Sequence, residues 1–272
     1  MHDTTHLYYV NASTSVQRIP KAGGTPETLA SNQPGPDRLA VDDTHVYWRN
    51  AYGGAVMRVS KLGGMPEVVV AATPSRIALH GNYLYYDAAG WTVMRVPKSG
   101  GVATEVWTGT FVADLEADDD GLYIAPNDGL PVGKLLFLPM HVAPPTTLPC
   151  GGWCGGVETI GGPEIYVWGQ AWSIQTSWIA EVSKASATLT TIVHSRSGES
   201  VGGPKTDGES LFFYSDMAAD GTLSSPHIRK ASPCLGLQTG VDLIANTVGR
   251  IAVGDANVYF VDQGGEVASV PK

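Results

Sequence analysis

Three stretches of this chain almost superimpose: VQRIPKAGGTPETL from Val16, VMRVSKLGGMPEVV from Val56 and VMRVPKSGGVATEV from Val93. Val56 and Arg58 alternate with Met57 and Val59, the period of two expected of a strand whose faces meet different neighbours. The Gly63-Gly64 pair supplies a turn that needs positive φ. Upstream of each stretch stands a short aromatic strand: Leu7-Tyr8-Tyr9, Val46-Tyr47-Trp48 and Leu84-Tyr85-Tyr86. It recurs as Leu122-Tyr123-Ile124, Ile165-Tyr166-Val167, Leu211-Phe212-Phe213 and Val258-Tyr259-Phe260. The central ring falls at positions 8, 47, 85, 123, 166, 212 and 259, with spacings of 39, 38, 38, 43, 46 and 47.

A period near 40 with several short strands per unit is the pattern of a β-propeller blade. The second unit reads as strand A over Arg38 to Asp42, B over His45 to Arg49, C over Ala55 to Ser60 and D over Pro66 to Val70. The chain counts six A, seven B, seven C and six D strands. This predicts an all-β fold, a single β-propeller domain over residues 1–272, with seven blades and an incomplete closing blade; six blades with spare terminal strands is the alternative. The chain starts where a first A strand would end. It stops at Lys272, which aligns with Lys21, Lys61 and Lys98, so a longer natural protein is an expectation.

Composition agrees. With 43% apolar and 16% charged residues the 272-residue chain can bury a sizeable core. The 33 Gly and 18 Pro disfavour a helical bundle. A net charge of −9 repels phosphate backbones, so nucleic acid is not an expected partner. No apolar run approaches the ~20 residues of a membrane-spanning helix. Met1-His2-Asp3 opens neither a basic nor an apolar segment, so no signal peptide is expected. Oligomeric state has no signature here.

The Leu39-Ala40-Val41-Asp42 strand followed by Val46-Tyr47-Trp48 resembles the YWTD propellers of LDL-receptor type. The fuller unit, Val56-Met57-Arg58-Val59 into Lys61 and a double Gly, is similar to repeat propellers of myxobacteria and related bacteria. The resemblance is sharp over residues 1–110 and keeps only the strand rhythm beyond. It implies an extracytoplasmic bacterial protein, periplasmic or secreted, and brings no catalytic residues.

Propeller topology sorts positions by face. The D–A and B–C loops share one mouth of the channel, and the A–B and C–D loops share the other. At the first mouth the equivalent positions hold Arg38, Arg76, Asp114, Val157, Gly203 and Arg250; deeper in lie Glu116, Glu158 and Lys205. Guanidinium groups there suit a carboxylate or phosphate, because the planar fork binds in two places. The competing reading pairs Arg38, Arg76 and Arg250 with Asp114, Glu116 and Glu158 in an internal ionic network. Long B–C loops, Pro126 to Gly133, Gln170 to Ser177 and Ser215 to Pro226, open on the same side, as do the D–A loops Cys150 to Gly156 and Ser195 to Gly203. Tyr52, Trp91, Trp153 and Trp172 travel with these loops, as recognition residues or as simple caps of the blade ends.

The second mouth carries Asp3, Asp42, His80, Asp118, Gly161, Asp207 and Gly254 at one equivalent position. Asp there is expected to cap the A–B turn through the backbone. His80 between Asp42 and Asp118, with Asp207 at the same position, is also a candidate set for a divalent cation, calcium or zinc, that activates water. His6 and His45 are equivalent and read as structural. Cys150 and Cys154 form either a small disulfide or two thiols, and Cys234 lies too far along the blade to bridge to them. No phosphate loop and no Gly-x-Ser-x-Gly elbow is present.

Two functions of different class follow, and whether the chain is an enzyme stays open between them. One is a binding module that holds a small-molecule, carbohydrate or peptide ligand at the first mouth. The other is a metal-dependent hydrolase of ester-like small molecules with the cation in the channel.

Overall fold

The computed structural model describes all residues except 12–13, 128–132, 140–143, 160–161, 172–175, 196–198, 208, 218–222, 232–240, 245–246, 255 and 263–266. Among the described residues there is no helix, and the strands form seven antiparallel sheets, the blades of a β-propeller. Blade one holds β1 (His6–Asn11), β2 (Ser15–Pro20) and β3 (Glu27–Ala30). Blade two holds β4 (Pro36–Val41), β5 (His45–Asn50), β6 (Ala55–Ser60) and β7 (Glu67–Val70). Blade three holds β8 (Ile77–His80), β9 (Tyr83–Ala88), β10 (Thr92–Pro97) and β11 (Thr104–Thr108). Blade four holds β12 (Phe111–Ala117), β13 (Gly121–Asn127), β14 (Lys134–Pro139) and β15 (Thr146–Pro149). Blade five holds β16 (Trp153–Thr159), β17 (Glu164–Ala171), β18 (Thr176–Ser183) and β19 (Leu189–His194). Blade six holds β20 (Val201–Thr206), β21 (Leu211–Met217), β22 (Leu223–Ala231) and β23 (Val241–Ile244). Blade seven holds β24 (Thr247–Val253), β25 (Asn257–Asp262) and β26 (Val267–Pro271). The first and last blades are three-stranded, as the strand count predicts, and every blade is a meander of sequential neighbours.

The contacts divide the chain into two compact units, Met1–Leu115 and Glu116–Lys272, with the boundary inside β12. In the first unit, Tyr8, Val16 and Leu29 of blade one pack with Val46, Trp48 and Val59 of blade two. Tyr47, Val56 and Val69 of blade two pack in turn with Leu84, Tyr86 and Val96 of blade three. Successive residues of a strand point to opposite faces, so Trp48 meets the preceding blade and Tyr47 the following one. Both faces are buried, which is why the B strand carries two large side chains in succession. The second unit repeats the scheme: Val167 packs in a cluster with Tyr123 and Leu135, Tyr166 in one with Leu211 and Phe213, and Phe212 in one with Ile251 and Val258.

The double-glycine turns behave as the sequence requires, with φ of 87° and 122° at Gly63 and Gly64, a conformation that L side chains rarely adopt. The Asp of the A–B turn also takes its predicted structural role. Asp42 Oδ1 accepts the amides of Thr44 (2.9 Å) and His45 (2.8 Å). Asp3 does the same for Thr5 and His6, Asp118 for Asp120 and Gly121, and Asp207 for Glu209 and Ser210. His6 and His45 each meet the neighbouring threonine hydroxyl at 2.8 Å and tilt against Tyr8 and Tyr47.

The same carboxylates reach across to the next blade. Lys61 Nζ donates to Asp3 at 2.7 Å, Lys98 pairs with Asp42 at 2.9 Å, Lys184 with Asp118 at 2.6 Å and Lys272 with Asp207 at 2.7 Å. Tyr8, Tyr47 and Tyr123 add their hydroxyl protons at 2.7, 3.0 and 3.2 Å. Burial alone would push the Asp3 and Asp42 carboxyls up; the ammonium groups and turn amides outweigh it and hold both well below the usual carboxylate range. Asp207 is lowered in the same way, burial opposing and Lys272 prevailing.

These junctions make stability depend on pH with a defined sign. A carboxyl with a lower pKa folded than unfolded binds its proton first in the unfolded chain, so acid favours unfolding. The contribution of these junctions is therefore expected to be complete above the ordinary Asp value of about 3.9 and to be lost progressively as the pH drops below it. Urea midpoints measured from neutral pH down to acid check this, and Asp42→Asn should flatten the fall. At neutral pH, Asp42→Ala should lose at least the about 1.5–3 kcal/mol of one charge-assisted bond.

Candidate functional site

On the D–A and B–C side of the first unit, the charged residues are tied to one another. Arg49 of β5 donates through Nε to Asp37 of β4 at 2.6 Å and through Nη1 to the Pro74 carbonyl of the next loop at 2.8 Å. The bond to Asp37 raises the Arg49 pKa further. Asp87, two residues past Tyr85 as Arg49 is two past Tyr47, is buried and accepts the Arg76 amide. Burial raises its carboxyl above the usual range. Arg76 bonds through Nε to Asp114 at 2.9 Å and through Nη1 to the Ser75 carbonyl at 2.9 Å. The charge order is thus reversed between blades two and three: Asp then Arg in one, Arg then Asp in the other.

Equal spacing from the aromatic strand puts Arg38 and Arg76 at one position, but the backbone separates them. Arg38 has a φ of 51° and sits in a bulge of β4, where the register slips between Asp37 and Ala40, and Asp37 faces Arg49.

The aromatic side chains of this side are open. Tyr52, on the β5–β6 turn, is 87% exposed, and Trp91, on the β9–β10 turn, is 56% exposed. Phe111, at the start of β12, is 40% exposed and meets Trp91 edge-on at 6.2 Å. The turns that carry them are held by backbone bonds. Ala51 and Tyr52 donate to the Gly35 and Pro34 carbonyls at 2.9 and 3.1 Å, and Val112 donates to Gly90 at 2.7 Å. Gly35 is required here, because its φ is 68° and a Cβ would lie 2.5 Å from the Tyr52 ring. Phe111 escapes the sequence reading; its signal is a large apolar residue one step before the β12 alternation of Val112, Asp114 and Glu116.

In the second unit Lys205 of β20 pairs with Glu158 of β16. Together with Arg76–Asp114 this gives two ion pairs of the kind the internal-network reading expects. Glu116 lies in β12 and Trp153 half-buried in β16. Arg250 lies in β24 with its side chain outside the described residues, and Trp172 and Cys234 lie outside them altogether. Cys150 and Cys154 are joined in a disulfide with a Cα separation of 5.7 Å, and both are buried. A buried cluster that the sequence reading misses lies nearby in the chain: Arg229, with a side chain 1% exposed, donates to Glu199 at 2.7 Å, as does Ser215 at 2.6 Å. Its signal is Arg229 itself, one residue before the usual basic position of strand C and so on the opposite face of the blade.

On the A–B and C–D side, the residues of the cation reading are spread over different blades. Asp42, Asp118 and Asp207 each hold a lysine ammonium, so a cation at any of them competes with a charge already in place. His80 ends β8, paired in register with Tyr83. Among the described residues, no three His, Cys, Asp or Glu side chains converge on a point that suits a metal ion.

No protein-family model matches the chain, and no curated protein does. Solved structures do match. One is the crystal structure of a nidogen/laminin complex, with a TM-score of 0.62 at 14% identity over 85% of this chain and 90% of that one. Another is YCF48 bound to D1 peptide, with a TM-score of 0.69 at 9% identity over 99% of this chain and 89% of that one. A third is the computationally designed Ika8 protein, with a TM-score of 0.65 at 10% identity, covering 100% and 82%. At such identities the likeness is one of β-propeller fold alone, and no family match supports the repeat type that the sequence resembles.

Two outcomes test the site as drawn. Arg76→Ala should lower thermal stability, because Asp114 loses a charge-assisted partner; the expected loss is about 1.5–3 kcal/mol in urea unfolding. Thiol titration of the denatured protein should count one sulfhydryl before reduction and three after; three before reduction would remove the bridge.

Proposed function

We propose that this chain is a binding module that takes a peptide or protein segment on the D–A and B–C edge of its first unit, with Tyr52, Trp91 and Phe111 as the principal contacts. The observation that carries the reading is the exposure of three large aromatic side chains on turns anchored by backbone hydrogen bonds. Aromatic residues supply large contact area at low entropic cost, and they are enriched among the residues that dominate interface energetics. The guanidinium groups of Arg49 and Arg76 support this reading indirectly. Both are bonded to carboxylates of the protein itself, so the edge offers an aromatic surface rather than an anion clamp. The propeller structures similar to this chain lend support, since one was solved in a nidogen/laminin complex and one with a bound D1 peptide. The Cys150–Cys154 disulfide favours an oxidising compartment, periplasmic or extracellular, as the place of action.

Selection of a displayed random-peptide library on the folded protein tests the reading, followed by fluorescence polarisation of the enriched peptides. Tyr52→Ala and Trp91→Ala should each weaken binding by about tenfold or more, the loss of a hot-spot contact, while leaving the melting temperature near that of the parent. Leu62→Ser, on the turn after β6, should leave binding unchanged. Absence of any enriched peptide, or equal loss in the Leu62 variant, would sink the proposal.

A further inference from the structure

The second unit contains a cavity of about 520 Å³ between blades six and seven, lined by Asp207, Glu209, Ser210, Lys230, Gly254 and Lys272 among others. Its size lies within the range of small-molecule sites. It stands on the A–B and C–D side, at a junction of the type described above, and comparison with two other junctions shows which side chains are smaller here. At the junction of blades one and two, the positions of Ser210, Lys230 and Gly254 hold His6, Arg18 and Asp42. At the junction of blades two and three they hold His45, Arg58 and His80. Each of the three substitutions removes side-chain volume from one spot.

The basic group of strand C also lacks the glutamate that its counterparts bond. Arg18 is bonded to Glu27 on the paired strand and to the Lys61 carbonyl; Arg58 is bonded likewise to Glu67 and the Lys98 carbonyl. Lys230 faces Val241 in the same register, and its ammonium lies over the Phe212 ring at 5.8 Å. Asp207 is committed to Lys272 and to the amides of its own turn. Among the described residues, this leaves to a ligand one ammonium at Lys230, one carboxylate at the exposed Glu209 and the Ser210 hydroxyl.

We propose that this cavity binds a zwitterionic small molecule of the amino-acid or short-peptide class, its carboxylate on Lys230 and Ser210 and its ammonium on Glu209. A ligand of one sign satisfies half of the lining and is repelled by the other half; a ligand that carries both satisfies it all. An ammonium held against an aromatic face is a defined point charge, which suits a single carboxylate. This site is independent of the aromatic edge of the first unit.

Calorimetric titration of the folded protein with L-alanyl-L-alanine tests the proposal, because only the terminal charges and a short backbone are invoked. Saturable binding is expected. N-acetylation or C-terminal amidation of the dipeptide, each removing one charge, should weaken it about tenfold or more, the equivalent of one charge-assisted contact. Lys230→Met and Glu209→Gln should each do the same, and Gly254→Asp, which returns the residue found at the junction of blades one and two, should abolish binding. Should Lys230→Met fail to fold, Glu209→Gln at the exposed rim and Gly254→Asp still decide. No saturable heat up to about 10 mM dipeptide would overturn the proposal. Equal binding of the capped dipeptides would do so too, as would full competition by inorganic phosphate, which marks a simple anion site.

Discussion

The carboxylate at the end of strand A is the point where local, blade-level and inter-blade structure meet. In blade two, Asp42 closes its own turn through two amides, fixes the Tyr47 ring through the hydroxyl, and receives Lys98 from blade three. Half-buried carboxylates are tolerable only when several donors replace the lost water, and each of these aspartates has at least three. The bonds are worth more together than one at a time. The turn amides and the tyrosine hydroxyl hold the acceptor in place, so the lysine loses less freedom in reaching it. Along the sequence Asp and Lys are lost together at two of these positions. His80 and Gly161, which stand in place of Asp, are followed one repeat later by Met140 and Pro233 in place of Lys.

Much of this architecture is legible in one chain because a repeat exposes its own rules. The doubled aromatic residues mark a strand buried on both faces, and Trp48 and Tyr47 go to opposite blades as that pattern requires. The double glycines and the turn aspartates need particular backbone conformations and amide partners, so their roles are local and readable. Side-chain pairing between blades is less local. Counting residues places Arg38 with Arg76, and one bulge in β4 undoes the equivalence. The Glu199–Arg229 pair joins a long loop to strand C, and no spacing rule connects two such positions. Tyr52 and Trp91 are visible as aromatic residues on turns, yet only the structure separates open rings from rings that merely close a blade end.

The ion pairs also bear on the binding role proposed for the D–A and B–C edge of the first unit. Arginine in an acidic chain suggests an anion, but a guanidinium already bonded to a neighbouring carboxylate has little left to offer without breaking a partly buried pair. Arg49 with Asp37 and Arg76 with Asp114 are of this kind. They serve to orient the loops between blades, since Arg49 also holds the Pro74 carbonyl and Arg76 its own loop at Ser75. The rigid loops then present the rings. In the proposed binding role, electrostatics in this unit acts through geometry, and the contact energy falls to apolar area.

The junction between blades six and seven shows how the same scaffold makes a site by subtraction. Asp207 and Lys272 keep the bond that joins the two blades, so the loss of side chains around it leaves the connection intact. Gly254 removes a carboxylate and its volume, Ser210 removes an imidazole, and Lys230 trades a fork held by a glutamate for a single ammonium. A pocket lined by apolar atoms alone would be a packing defect; one lined by charges and a hydroxyl offers partners to a polar ligand. The repeat makes such drift tolerable, because each core cluster lies between two neighbouring blades and a change at one junction leaves the packing of the others untouched.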